Sequence, residues 1–129
     1  MKIQHIAIWT KDLEALKMFY ETYFQALAGR KYINPNTHFE SYFLNFSSGA
    51  RIEIMQMPDI LASSKTVDAK YFGYAHIAIS VGSKKQVNQS TDLLEKNGVL
   101  IVSKPRTTGD GNYESVVMDP DGNKIENTI

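Results

Sequence analysis

The chain has 129 residues, with fourteen Lys or Arg set against fourteen Asp or Glu, and no cysteine. That length fits a single domain burying roughly two-thirds of its unfolded surface. The balanced charge, with no basic run longer than a pair, argues against a grip on nucleic acid or anionic lipid, and the missing cysteine excludes disulfides, thiolate metal sites and a thiol nucleophile. The opening "MKIQHIAIWTKD" is too short and too polar for a signal peptide, and the apolar runs are too brief for a membrane helix, so a cytoplasmic protein is expected.

The first strand is predicted at Lys2 to Trp9, where apolar β-formers dominate, and Asp12 is placed to cap a following helix. From Leu13 to Leu27 the apolar residues recur at spacings of three and four, an amphipathic stripe with Gly29 as its stop. A weakly marked strand at Lys31 to Ile33 precedes Asn34-Pro35-Asn36. Phe39 to Phe46 and Ala50 to Met57 then read as strands about the turn Ser47-Ser48-Gly49. Residues 59–73, "DILASSKTVDAKYFG", fit neither a strand nor a helix period.

The pattern then restarts. Tyr74 to Val81 reads as a strand, and Ser83-Lys84-Lys85-Gln86 has the form of a capping box. The helix it opens runs to about Asn97 with Val87, Thr91 and Leu94 on one face and Gly98 as its stop. Strands follow at Val99 to Ser103, Tyr113 to Met118 and Lys124 to Ile129, separated by turns at Gly109-Asp110-Gly111 and Asp119-Pro120-Asp121-Gly122.

"HIAI" stands in the opening strand of each half, at His5 and again at His76, and each half closes on a strand with a carboxylate, "RIEIM" at Glu53 and "KIENTI" at Glu126. Alternation along a strand groups Ala7 and Trp9 with His5, Arg51 and Met55 with Glu53, Ala78 and Ser80 with His76, and Lys124 and Thr128 with Glu126. The opposite faces hold Ile6, Ile8, Ile52, Ile54, Ile77, Ile79 and Ile125, which the two amphipathic helices are expected to cover. Any one of these histidines or glutamates alone is ordinary. Two of each at equivalent positions make a metal site, because burying two unpaired carboxylates without a cation is costly. Imidazole nitrogen and carboxylate oxygen suit Zn, Ni, Co, Mn or Fe(II), and ligand type alone does not choose among them.

The segments "HIAIWTKDLEALKMFY", "RIEIM", "HIAISV" and "DPDGNKIE" resemble the vicinal oxygen chelate superfamily, the glyoxalase, bleomycin-resistance and dioxygenase group, over essentially the full length. The resemblance implies an α+β fold of two βαβββ modules forming an open, cup-like β-barrel with the helices outside. The modules would be 1–60 and 74–129, joined by a connector at 61–73 into one domain. It implies a homodimer acting on a small molecule. A ligand order of His5, Glu53, His76 and Glu126 resembles that of the glyoxalase I (lactoylglutathione lyase) branch. That branch implies a metal-dependent lyase or isomerase passing through an enediolate, with Glu126 as the proton-transferring base and Glu53 as the second candidate.

Two departures weigh against glutathione as cosubstrate: "HIAIWTKD" lacks an arginine after the first histidine's strand, and after Glu53 only Gln56 is available. Arg51 and Arg106 are candidates to meet a substrate acid group, and Trp9, Phe43 and Tyr113 to form an apolar wall. Two other readings stay open: an Fe(II) dioxygenase, for which a fourth protein ligand is one too many, and a non-catalytic binder of an antibiotic or similar ligand.

Overall fold

A computed structural model describes residues 1–62 and 66–129. Residues 63–65, within the expected connector, lie outside the described residues. The chain divides into two compact units, Met1–Ser63 and Ser64–Ile129, each with one helix and one mixed sheet. The fold is α+β, as the order of sequence patterns predicts.

The first unit runs β1 (His5–Trp9), α1 (Leu13–Phe24), β2 (Leu27–Ala28), β3 (Tyr32–Asn34), β4 (Phe39–Asn45) and β5 (Arg51–Gln56). Its sheet order is β1-β5-β4-β2, with β3 added to the start of β4. The pair β1 and β5 is parallel and the others are antiparallel. A parallel return needs a long crossover, and α1 with the strands after it supplies that.

The second unit repeats the scheme: β6 (Ile77–Ser80), α2 (Lys84–Lys96), β7 (Ile101–Thr107), β8 (Tyr113–Met118) and β9 (Lys124–Thr128), in sheet order β6-β9-β8-β7. Again the opening and closing strands pair in parallel.

Each helix lies on one face of its own sheet, and the isoleucine-rich face turns inward as expected. In the first unit Leu13, Leu16 and Tyr20 of α1 are buried with Leu44, Ile52 and Ile54. In the second, Val87 and Leu94 of α2 are buried with Val117 and Ile125. The second core also holds a polar cluster that the hydrophobic pattern does not announce. The Thr91 hydroxyl donates to the Val87 carbonyl at 2.6 Å and stands 2.7 Å from the Ser115 hydroxyl, and the Asn127 amide donates to Thr91 at 3.4 Å. Buried polar groups are tolerated where neighbours satisfy them, and here most are.

The helix starts follow from local chemistry. Asp12 accepts from the Ala15 amide at 3.0 Å, and the side-chain oxygen of Gln56, at the end of β5, accepts from the Leu13 amide at 2.8 Å. Ser83 accepts from the Gln86 amide, while the Ser83 hydroxyl donates to Gln86 Oε1 at 2.7 Å, so the expected capping box closes through side chains.

Several element ends differ from expectation. Helix α1 stops at Phe24, not Leu27, because Gln25 takes the left-handed conformation (φ 53°) and the chain turns to lay Leu27–Ala28 against β4. Gly29 therefore belongs to that ladder, its amide donating to the Phe43 carbonyl at 2.9 Å, and is not the helix stop. Strands β1 and β6 are shorter than read, and His76 stands one residue ahead of β6. Strand β7 extends through Thr107, with register irregularities between Ile101 and Arg106.

Candidate metal centre

In the first unit the parallel register sets His5 beside Arg51 and Ala7 beside Glu53, so histidine and glutamate share the sheet face away from α1, one residue pair apart along the strands. Their side chains meet, with His5 Nε2 3.7 Å from Glu53 Oε2. The second unit repeats this geometry. Ala78 stands beside Glu126, and His76 Nε2 lies 3.2 Å from Glu126 Oε2. The histidines are about 40 % exposed (38 % and 41 %), and the carboxylates more covered at 17 % and 22 %. Each pair is therefore open to a ligand without being freely solvated.

The chemistry of each pair fits a cation. A neutral imidazole nitrogen and a carboxylate oxygen facing each other are both lone-pair donors, and something positive, a proton or a metal ion, must stand between them. On the other side of the His5 ring the Gln4 side-chain oxygen stands against Nδ1, while Nε2 faces Glu53. An outer hydrogen bond from that side is how a metal-binding histidine is commonly oriented. Gln4 was not singled out by sequence reasoning. A polar residue beside a histidine carries no periodic signal, and only its rotamer reveals the contact. Among the described residues no group of three or more His, Cys, Asp or Glu gathers around one point.

The remaining candidates sort by face. Phe43 stands beside Glu53 in the ladder, and its ring meets the His5 ring edge-on at 5.4 Å between centroids. The Arg51 guanidinium lies over the same Phe43 ring at 4.1 Å. Trp9 is on this face too, edge-on to Phe39 at 6.0 Å. These residues come together as the strand alternation predicts.

Arg106 requires a correction. It is not on a loop but in β7, directly beside Glu114, with its guanidinium 3.6 Å from the Glu114 carboxylate and donating to Ser103 at 2.8 Å. Register still puts it on the Glu126 face, since Glu114 stands opposite Thr128, but its charge is matched by a buried carboxylate. The reading stopped the strand at Ser103 because Pro105 and a polar run follow, and a bulged strand tolerates both.

Tyr113 is also corrected. Register pairs Val116, not a residue of Tyr113's parity, with Glu126, so Tyr113 lies on the helix face. There its hydroxyl donates to Asn88 at 2.8 Å and Lys84 lies over its ring at 5.0 Å. It takes no part in the wall beside Glu126. His38 is exposed in the turn before β4 with φ 55°. A cleft of about 280 Å³ bounded by His38, Glu40, Gln56, Met57 and Pro58 also belongs to the helix side, where Glu40 and Gln56 pair.

The turn "DPDGNK" explains why that stretch is so distinctive in sequence. Asp119 accepts from the backbone amides of Asp121 and Asn123 and from the Asn123 side chain, and Gly122 supplies φ 81°. Burial raises the Asp119 carboxyl above its ordinary value, while the amide and backbone bonds of Asn123 pull the other way. The rigid turn fixes the register of β8 against β9, and with it the place of Glu126.

Residues 2–127 match the Glyoxalase/Bleomycin resistance protein/Dioxygenase superfamily. The chain is 26 % identical over 133 residues to the uncharacterised Bacillus subtilis (strain 168) protein YqjT, covering 96 % of this chain and 95 % of that protein. Among solved structures it is similar to glyoxalase I from Zea mays (TM-score 0.79, 21 % identity), covering 98 % of this chain and 44 % of the maize chain. It is also similar to a trypanothione-dependent glyoxalase I from Leishmania major (TM-score 0.76, 24 % identity), covering 99 % of this chain and 86 % of that one. This chain thus spans less than half of the maize protein, and at these identities the structural likeness speaks for the fold alone.

Proposed function

Since the chain belongs to the Glyoxalase/Bleomycin resistance protein/Dioxygenase superfamily, we propose that it is a divalent-metal-dependent lyase or isomerase of the glyoxalase type, acting on a small α-hydroxy-carbonyl or thiol-adduct substrate. The observation that carries this reading is the duplicated His–Glu pair, with His5 opening β1 and His76 just ahead of β6, closed to 3.7 and 3.2 Å. We read His5, Glu53, His76 and Glu126 as the metal ligands of the protein, with Zn or Ni before Co, Mn or Fe as the metal. The modules 1–60 and 74–129, with the connector 61–73, act as one functional domain, and the protein works as a homodimer.

When bound, the ion supplies Lewis-acid polarisation of neighbouring substrate oxygens. The chain's own residues do the rest. Among the described residues the histidine is the polar partner of each glutamate, so each carboxylate keeps an oxygen for a proton. Glu126 takes the proton from the carbon that bears the hydroxyl and returns it to the adjacent carbonyl carbon, while the hydroxyl proton passes to the former carbonyl oxygen, which isomerises the substrate with no net gain or loss of protons. Glu53 is the second candidate for that role. Trp9 and Phe43 give the pocket its apolar wall.

The test is elemental analysis of the purified protein beside His5→Ala and Glu126→Ala. Near-stoichiometric divalent metal is expected in the parent, with most of it lost in both variants although they lie in different units. Metal that persists in both sinks the ligand assignment, and no metal under any loading condition favours a non-catalytic binder.

A further inference from the structure

The substrate-side face of the first unit is graded in polarity from one end to the other. One cross-strand row holds His5 and Arg51, the next Ala7, Glu53 and Phe43, and the third Trp9 and Met55. At the first end Arg51 is half-buried, and its guanidinium lies 4.1 Å over the Phe43 ring. Among the described residues no carboxylate pairs with it, and Glu53 turns to His5 instead. Two other cations of this unit, Lys17 and Lys31, are engaged on the helix side: both are held by Glu14, and Lys31 also by Glu40. At the far end Trp9, 43 % exposed, stacks edge-on to Phe39, which in turn meets Tyr32.

A half-buried guanidinium fixed flat on an aromatic ring is pre-organised, and its forked donors match an acid group. Leaving it there without an anion costs desolvation that a ligand can repay. An exposed aromatic cluster two rows away favours an apolar body. The geometry points to a small amphiphilic acid as the substrate class, its carboxylate or phosphate held by Arg51 and its apolar part lying toward Trp9. This rests on the reading of that face as the substrate face, and it makes Arg51 the residue that sets specificity.

Mandelate, mandelamide and glycolate separate the two ends, because mandelamide lacks the negative charge and glycolate lacks the ring. Their binding is measured calorimetrically to metal-free and zinc-loaded protein. Mandelate is expected to bind the parent about tenfold or more tighter than mandelamide, as a charge-assisted contact implies. Arg51→Gln removes that preference, Arg51→Lys keeps part of it, and Arg30→Gln, a change at an exposed arginine, leaves it intact. Trp9→Ala removes the preference of mandelate over glycolate and spares the preference over mandelamide. Mandelate that binds no tighter than mandelamide, or not at all, overturns the proposal, as does a preference that survives Arg51→Gln. The metal-free arm keeps the two readings apart: if the metal assignment fails, the Arg51-dependent preference still appears there.

Discussion

At the scale of single residues, the two histidines and two glutamates were legible because strand alternation fixes which side chains share a face, and nothing in the packing overrides it. Arg51 and Phe43 were legible for the same reason, but the stacking of one on the other was not, since parity assigns a face and leaves the rotamer open. Gln4 and Glu114 escaped altogether. One orients His5 and the other neutralises Arg106, and both contacts depend on side-chain direction. Gln25 offers a prediction at this scale. A non-glycine residue at φ 53° is strained by its own Cβ. Gln25→Gly should therefore stabilise the protein by about 0.5–1 kcal/mol, the relief exceeding the added flexibility of the unfolded chain. Urea unfolding reads the change, and a loss of stability would show that the Gln25 side chain contributes more than its backbone costs.

At the scale of elements, existence was legible and boundaries were not. The stripe of α1 continues in sequence to Leu27, yet the helix ends at Phe24 because Leu27–Ala28 gains more by pairing with Leu44 and Asn45. A long-range ladder won over a local period. Strand β7 runs past Pro105 and the polar run that follow Ser103 because its register shifts between Ile101 and Arg106 accommodate them.

Helix α1 is further tied to its sheet through Glu14, which binds Lys17 at 2.9 Å and Lys31 at 3.1 Å and accepts from the Tyr42 hydroxyl at 3.0 Å. Lys17 first, and Lys31 next, hold the Glu14 carboxyl down to about 2 from its ordinary 4.5. A depressed carboxyl favours the folded state above 4.5, and that gain fades as pH falls from there through about 2. The side chain is half exposed, so the tie is worth about 1 kcal/mol at most. Glu14→Gln should cost up to that amount at neutral pH, with the gap to the parent narrowing below pH 4.5 in chemical denaturation. A gap that stays constant with pH would assign the loss to packing and not to charge.

At the scale of the whole molecule, the repetition of strand, helix and a run of strands whose last pairs with the first was legible from element order, and the family match over residues 2–127 spans both units. The proposed ligands His5, Glu53, His76 and Glu126 are spread over both halves of the sequence. Zinc should stabilise the protein in proportion to the logarithm of its concentration, by about 4 kcal/mol at a thousandfold excess over the dissociation constant, which is read as a rise in melting temperature. A chelator should reverse the rise. His5→Ala and Glu126→Ala should abolish it equally, and a gain that survives one of them would confine the ion to the other unit.

The sequence by itself determined the α+β class, the duplication, the family, and which face of each sheet carries His, Glu and Arg, because these follow from periods of 2 and 3.6 and from spacing along one chain. Only the tertiary structure decided that Arg106 is matched by Glu114 while Arg51 is not, that Tyr113 belongs to a helix face, and that α1 yields its last turn to a strand. Each of those outcomes is a competition between partners far apart in sequence, and the register of the folded sheet chooses between them.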